Sequence, residues 1–249
     1  MEREIVLSSY NLTQGKPEDF TIRFTNTLNL DSNKQYMIGL NRIIHMSFTW
    51  FNVNEQHNNR TLKYSDNNGS SFKTITLEPG VWDYKDFDKR IKVFTRIKVS
   101  DSYRFPITLK FDKTTFRVII VIATDYELDL RESNFNDLIG FNKVLLKSGT
   151  HNGVRVPNLS QHTDILNIHC DLINESLVDG NESDIIYSFS TSVLDPSFSF
   201  EQEPKRVLFS PVNKNNISAI RMYVTDGKRR VVNLHGADVS YSLILKTVE

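Results

Sequence analysis

The feature that most constrains this chain is a recurrence: short runs rich in Val, Ile, Phe, Tyr and Thr, each closed off by a cluster of Asn, Asp, Ser, Gly and Lys. β-Branched and aromatic side chains suit a pleated, half-buried surface, and the polar clusters mark where the backbone turns. In FTIRFTNTLNL, residues 20–30, Phe20, Ile22 and Phe24 alternate with Thr21, Arg23 and Thr25, so a strand here has one buried and one wet face. QYMIGLNRIIHMSF, residues 35–48, reads as a strand with a second apolar run, bent near Asn41. Further strands are expected from Asp164 to Ile173, Ile185 to Phe189, Val207 to Pro211, Ile217 to Thr225 and Val231 to Lys246. FPITLKFDKTTFRVIIVI, residues 105–122, reads as a hairpin turning at Asp112-Lys113. Residues 52–71 are expected to be an exposed loop or hairpin with a short strand around Leu62 to Tyr64, and residues 147–161 a polar loop.

The β pattern breaks once. After Pro79-Gly80, Tyr84, Phe87, Ile91 and Phe94 recur at helical spacing, which predicts one amphipathic helix over about 83–95 with those four on its core face. Asp83 is its expected N-cap, because a carboxylate accepts from the unpaired amides of the first turn. Trp82, beside the helix start, is expected to pack as a core or staple residue. ESNFNDLIGF, residues 132–141, predicts a single helical turn capped by Ser133 and closed by Gly140 in the left-handed conformation.

Two helices cannot alternate with this many strands as a doubly wound parallel sheet requires. Eight or more strands with long crossovers predict an all-β, antiparallel sandwich or jelly roll with one short amphipathic helix and long loop insertions. At 249 residues the chain can bury a substantial core, and we expect one domain over 1–249.

Composition and motifs point away from chemistry. Thirty basic residues balance thirty acidic ones, so no net field draws nucleic acid or an anionic membrane. The longest apolar run, VIIVIA at 118–123, is strand-sized, and no membrane span is expected. The charged start, MEREIVLSSYNLTQG, lacks the apolar stretch of a secretory signal. Cys170 is the single cysteine, so no internal disulfide forms. In DILNIHCDLI, residues 164–173, alternation places His169 and Asp171 on one face and Cys170 on the other, which predicts a buried thiol rather than a Cys-His nucleophile. His45, His57, His151, His162, His169 and His235 show no metal-ligand spacing. Asp125, Glu127 and Asp129 alternate along one face and read as a solvated acidic edge, since the glycine and terminal glutamate of a calcium loop are missing. No glycine-rich phosphate loop or nucleophile elbow is present. Lys228-Arg229-Arg230, after Asp226-Gly227, is the densest basic run and reads as an exposed turn.

An order of phrases remains. ITLEPGVWDYKDFDKRI is followed by FPITLKFDKTTFRVII, ESNFNDLIGF, DILNIHCDLIN and finally RVLFSPVNKNNISAIRMYVTDGKRRVVNLHGADVSYSLIL. Over roughly residues 72–246, with a weaker match at SSYNLTQGKPEDFTIRFTNTLNLDSNKQYMIGLNRI, this resembles the penton-type, or minor capsid, jelly-roll protein of the Maverick/Polinton and adintovirus group. The resemblance implies a single jelly roll that forms a homopentamer at the icosahedral vertices of a virion, beside the trimeric major capsid protein. It implies a structural protein rather than an enzyme, with no cofactor and no specific nucleic-acid partner. Its place would be the virion capsid, with synthesis in the host cytoplasm and assembly there or in the nucleus. No Arg-Gly-Asp string is present, so receptor binding is not implied. Three rival readings are a hexon-like major capsid protein of two fused jelly rolls, for which the chain is short, a carbohydrate-binding attachment protein using Trp50 or Trp82, and a cupin-like metalloenzyme.

Subunit contacts are then expected in loops and sheet edges. Candidates are residues 52–71, the 147–161 loop with Arg155, the crossover STSVLDPSFSFEQEPKR at 190–206 with Phe198 and Phe200, and the run Lys228, Arg229 and Arg230. Aromatics in an otherwise polar connection mark either an interface or a segment folded back on its own core.

Overall fold

A computed structural model describes residues 2–47, 51–161, 163–174, 176–178, 180–191 and 199–248. Contacts within the chain gather into two compact units, residues 1–50 with 162–249 and residues 51–161. Each unit encloses its own hydrophobic core.

The chain opens in the first unit with β1 (Glu2–Ser8), β2 (Gln14–Lys16), β3 (Asp19–Asn29) and β4 (Gln35–Ser47). The second unit follows: β5 (Thr61–Ser65), β6 (Lys73–Thr76), α1 (Tyr84–Thr95), β7 (Ile97–Val99), β8 (Ser102–Arg104), β9 (Ile107–Asp112), β10 (Arg117–Ile122), β11 (Glu127–Asp129), α2 (Phe135–Ile139), β12 (Leu145–Leu146) and β13 (Gly149–Asn152). The first unit is then completed by β14 (Ile165–Cys170), β15 (Ser176–Val178), β16 (Asn181–Ser183), β17 (Ile185–Ser190), β18 (Ser199–Gln202), β19 (Ser210–Pro211), β20 (Asn216–Asp226) and β21 (Val239–Val248).

In the first unit one sheet runs β1-β21-β4-β18, with β19 also on β4, and the other runs β17-β14-β20-β3-β2. Every pairing is antiparallel. Take β1, β3, β4, β14, β17, β18, β20 and β21 as first to eighth. The sheets then run first-eighth-third-sixth and fifth-fourth-seventh-second, which is the double Greek key of a jelly roll. The core between them takes Ile38, Leu40, Tyr241 and Leu243 from one sheet and Phe20, Ile168, Ile220 and Met222 from the other. The all-β jelly roll expected from the strand pattern is therefore present, and the second unit enters it between the third and fourth of these strands.

β4 shows how an irregular sequence keeps one face apolar. Strict alternation from Ile38 and Leu40 would aim Arg42 into the core. Two register shifts against β21 prevent this: Leu243 pairs with Leu40 and Ser242 with Arg42, then Tyr241 with Ile43 and Ser240 with His45. Asn41 and Ile44 are the extra residues, and the buried set becomes Ile38, Leu40, Ile43 and Met46. One-residue bulges thus move Ile43 inward and leave the Arg42 guanidinium out. The Asn41 amide Nδ2 donates to Ser242 Oγ at 3.2 Å.

The expected continuous strand from Val231 to Lys246 is corrected. After the Asp226-Gly227 turn the chain touches β20 only briefly, through a Thr225–Val231 bridge and the Val232 amide on the Val224 carbonyl at 3.0 Å. A second turn, with His235 and Gly236 at φ 53° and 80°, sends it to the opposite sheet. There β21 lies between β1 and β4. Of Val207 to Pro211, only Ser210–Pro211 forms ladder pairs.

In the second unit, a three-stranded sheet β13-β10-β9 and a four-stranded sheet β12-β11-β5-β6 accompany the β7–β8 hairpin. The 52–71 segment is less exposed than its polarity suggests, because β5 pairs on one side with β6 and on the other with β11. The hairpin turning after Asp112 forms as expected, with Asp112 paired to Arg117. At α1, the Asp83 carboxylate accepts from the Asp86 amide at 2.9 Å and Asp86 accepts from the Asp83 amide at 3.1 Å, a reciprocal capping box. Trp82 stacks on Phe87 with centroids 5.8 Å apart, joining the residue before the cap to the fourth of the helix, so the predicted staple is present. Phe87, Ile91 and Thr95 are buried, but Phe94 is 38% exposed. The expected core face is therefore rotated: Phe94 faces solvent, with the Arg90 guanidinium 4.8 Å from its ring centroid. At α2 the expected cap is corrected: Asn134 is the N-cap and its side chain makes no capping bond, while Ser133, one residue earlier, accepts from the Phe135 amide through Oγ at 3.0 Å. Gly140 closes the turn at φ 75° as expected.

The solvated acidic edge is also corrected. Glu127 and Asp129 are each 7% exposed, inside the four-stranded sheet. Asp129 is held by Arg131 through Nε and Nη2 at 2.9 and 2.8 Å. That bond chiefly keeps the carboxyl below its ordinary range, against the opposing effect of burial.

Candidate interface site

The residues expected at subunit contacts divide between the two units, so each is described where it stands. In the second unit, Gly140 positions Arg155. Its carbonyl accepts from the Val154 and Arg155 amides at 2.9 and 3.0 Å. A Cβ on Gly140 would lie 2.2 Å from the Arg155 carbonyl, which only glycine avoids. The Arg155 guanidinium then bonds the Phe141 carbonyl at 2.7 Å and Asp137 Oδ1 at 3.1 Å. Its side chain stays 55% exposed, so Arg155 both ties the 147–161 segment to α2 and presents charge to solvent.

In the first unit, Phe198 and Trp50 lie outside the described residues. Phe200 pairs with Met46 along β4 and packs half-buried against the jelly-roll core, its ring 5.6 Å from that of Phe189. The turn at 226–230 is organised by a buried carboxylate. Asp226 is 2% exposed. It accepts from the Lys228 and Arg230 amides at 2.8 and 2.9 Å and from Arg230 Nε at 2.8 Å. Arg229 takes a left-handed φ of 61°. The result is a fixed turn that projects Lys228 and Arg229 outward while Arg230 is folded down onto Asp226.

A polar cluster that sequence reading did not assemble covers the outer face of the second jelly-roll sheet. Cys170 points into the core, fully buried, and burial pushes its thiol pKa up to about 12, as expected for an inert thiol. The neighbouring His169 faces the other way. Its Nδ1 lies 2.7 Å from Asp184 Oδ1 and its Nε2 2.8 Å from Thr225 Oγ1. The neutral ring with Nδ1–H donating to Asp184 and Nε2 accepting from the Thr225 hydroxyl satisfies both contacts. Tyr223 stacks on the imidazole at 4.1 Å and donates its hydroxyl to the Asp184 carboxylate at 2.8 Å. Arg221 lies 4.8 Å from the Tyr223 ring centroid and holds Asp19 through Nε and Nη2, both at 2.7 Å. Burial pulls the His169 pKa down, opposed by Asp184, and pushes the Tyr223 pKa up, assisted by Asp184. Hydroxyl, imidazole and carboxylate in line resemble a nucleophile relay. Here the hydroxyl belongs to a residue 3% exposed and the imidazole to one 4% exposed. Buried in this way, the line ties β20 and β14 to Asp184, just before β17. Asp184 was invisible in the sequence because it lies fifteen residues from His169 and is brought back by strand pairing. The sequence pair His169 and Asp171 does not converge: Asp171 accepts from the Arg221 amide and from Lys214 Nζ at 2.9 and 2.7 Å.

Among the described residues, no three His, Cys, Asp or Glu side chains gather as metal ligands, and no helix is long and apolar enough to cross a membrane.

No family model and no curated protein matches this chain in sequence. Solved structures do. The crystal structure of the mavirus penton protein aligns over 100% of this chain and 100% of its own, with TM-score 0.51 and 11% identity. The chain has the fold of the mavirus penton protein. The cryo-EM structure of the Sputnik virophage aligns over 98% of this chain and 97% of that one, with TM-score 0.43 and 12% identity. At these identities the penton likeness is a likeness of fold.

Proposed function

We propose that the chain is a structural capsid protein, a penton-like subunit that forms homopentamers at the icosahedral vertices of a virion of the Maverick/Polinton or adintovirus type. The observation that supports this reading is the full-length alignment with the mavirus penton protein, in which both chains are covered end to end. On this reading residues 1–249 act as one capsid domain, a jelly roll carrying residues 51–161 as an insertion. Its partners are further copies of itself and the neighbouring major capsid protein, its place is the virion, and it is made in the host cytoplasm. The candidate contacts are Arg155 on the second unit and, on the first, Lys228, Arg229 and the 190–206 crossover with Phe198 and the half-buried Phe200. A ring needs one surface repeated head to tail until rotation closes it, and such a surface needs matched shape rather than perturbed titratable groups.

The test is solution mass by light scattering, with negative-stain microscopy of the same sample. We expect a species of five chains and rings with fivefold symmetry. The double variant Lys228→Glu with Arg229→Glu, whose side chains face solvent, should shift the population toward monomer. A chain that stays monomeric at every concentration, or assembles with another symmetry, overturns the pentamer.

A further inference from the structure

α1 and the β7–β8 hairpin present a surface whose composition differs from the rest of the chain. Ten consecutive residues, 96–105, are exposed. They include Ile97, Val99, Tyr103 and Phe105 at 37, 50, 50 and 43% exposure, and Val93 on α1 adds 45%. The hairpin is a two-stranded sheet with no third strand among the described residues. Such a ribbon is marginal alone in water, and its outer edges still offer backbone groups for pairing.

The charge is equally biased. Residues 85–104 carry Lys85, Lys89, Arg90, Lys92, Arg96, Lys98 and Arg104 against Asp86, Asp88 and Asp101, seven less three, or +4 in a chain of net charge zero. Three of these cations lie on aromatic rings: Arg90 on Phe94 at 4.8 Å, Lys92 on Phe105 at 5.7 Å and Arg96 on Tyr103 at 5.0 Å. A groove between helix and hairpin is lined by Lys89, Lys92, Val93, Arg96, Tyr103 and Phe105. The carboxylate that also lines it, Asp88, is already spent on the Leu109 amide at 2.8 Å and on Lys92 at 2.5 Å. A second groove that shares Val93 is lined by Val81, Trp82, Asp86, Lys89 and Arg90, and Asp86 is engaged by the Asp83 amide in the capping box. The Arg90 Nε there is buried with no hydrogen-bond partner, and Arg90 Nη2 makes only a 3.4 Å contact to the Thr76 carbonyl.

We propose that this surface binds an extended acidic peptide segment of a partner protein, with a bulky apolar side chain seated between Val93, Tyr103 and Phe105 and carboxylates on Lys89 and Arg96. Charge complementarity calls for an anion. The apolar floor favours a peptide over a sulfated glycan, which has little to bury there, and the open hairpin edge suits an extended backbone. The inference goes beyond the vertex reading and stands whether or not the chain forms rings.

The test is fluorescence anisotropy on the full chain. The probe is a fluorescein-labelled decapeptide of Glu and Asp carrying one Phe and one Leu. We expect saturable binding that weakens with salt. Lys89→Glu with Arg96→Glu should weaken it at least about tenfold, since two charges are reversed, and Tyr103→Ala about fivefold through loss of an aromatic anchor. Lys113→Glu, in the exposed turn after β9, should leave it unchanged. All four side chains are exposed, so melting temperatures should match the parent, and Tyr103→Ala keeps the test intact if the charge reversal disturbs folding. Absence of saturable binding overturns the proposal. So does binding indifferent to both the charge reversal and Tyr103→Ala, or tighter binding of a heparin hexasaccharide at the same groove.

Discussion

At the scale of single residues, the outer-face cluster is where pH enters. His169 is held neutral by burial, so the folded chain takes up its proton below the ordinary histidine value of 6.5. The unfolded chain takes it up near that value. Between the two, the unfolded state binds more protons, and stability must fall as pH drops below about 6.5. His235 is shifted the same way by burial. We expect the melting temperature to decline from pH 7.5 to 5.5, with a shallower decline in His169→Gln; an unchanged slope in that variant would place the proton elsewhere. Asp184→Ala removes the acceptor of both the imidazole and the Tyr223 hydroxyl. It should cost about 1–3 kcal/mol at neutral pH, the usual penalty for stranded buried donors. The sequence showed His169 and a buried thiol at Cys170. It could not show Asp184, because a strand pair is defined by register and not by spacing.

At the scale of elements, the two bulges of β4 carry a sharper expectation. Deleting Asn41 removes the first bulge, and plain alternation from Leu40 then still sets Arg42 opposite Ser242 and Ile43 opposite Tyr241. The deletion should therefore stay soluble, whereas Ile43→Asp, which puts an unpaired carboxylate at the position the bulge turns inward among the core residues Leu40, Tyr241 and Leu243, should yield insoluble protein. Asn41→Ala keeps the residue count and loses only the contact to Ser242. It should cost about 1 kcal/mol, read as a small fall in melting temperature. If the deletion is insoluble, or Ile43→Asp folds normally, the bulge is not what orients β4. The helix ends were largely legible: Asp83 and Gly140 stand where capping chemistry placed them, while the expected cap Ser133 lies one residue before the N-cap Asn134. Phe94 was not, because helical spacing defines a stripe but leaves its edges to whatever packs against it, and there Thr95 took the buried place.

At the scale of the whole molecule, equal numbers of acidic and basic residues and a sequence pI near 7.0 remove the net repulsion that keeps separate chains apart. We expect a solubility minimum near neutral pH, with turbidity clearing toward pH 8.5; a solubility independent of pH would argue that local surfaces, not net charge, govern association. The same balance hides the basic face of α1 and β7–β8, since a sum over the chain cancels what a surface separates. Alternating apolar residues, turn clusters and caps were enough by themselves to determine that this is an antiparallel β protein with one amphipathic helix, because those signals act over a few residues and local sterics decide them. Tertiary structure alone decided that β21 joins the sheet opposite β20, that residues 51–161 fold around their own core, and that Glu127 and Asp129 are buried. These outcomes depend on which distant strands pair, and pairing free energy comes from burial that no local window contains.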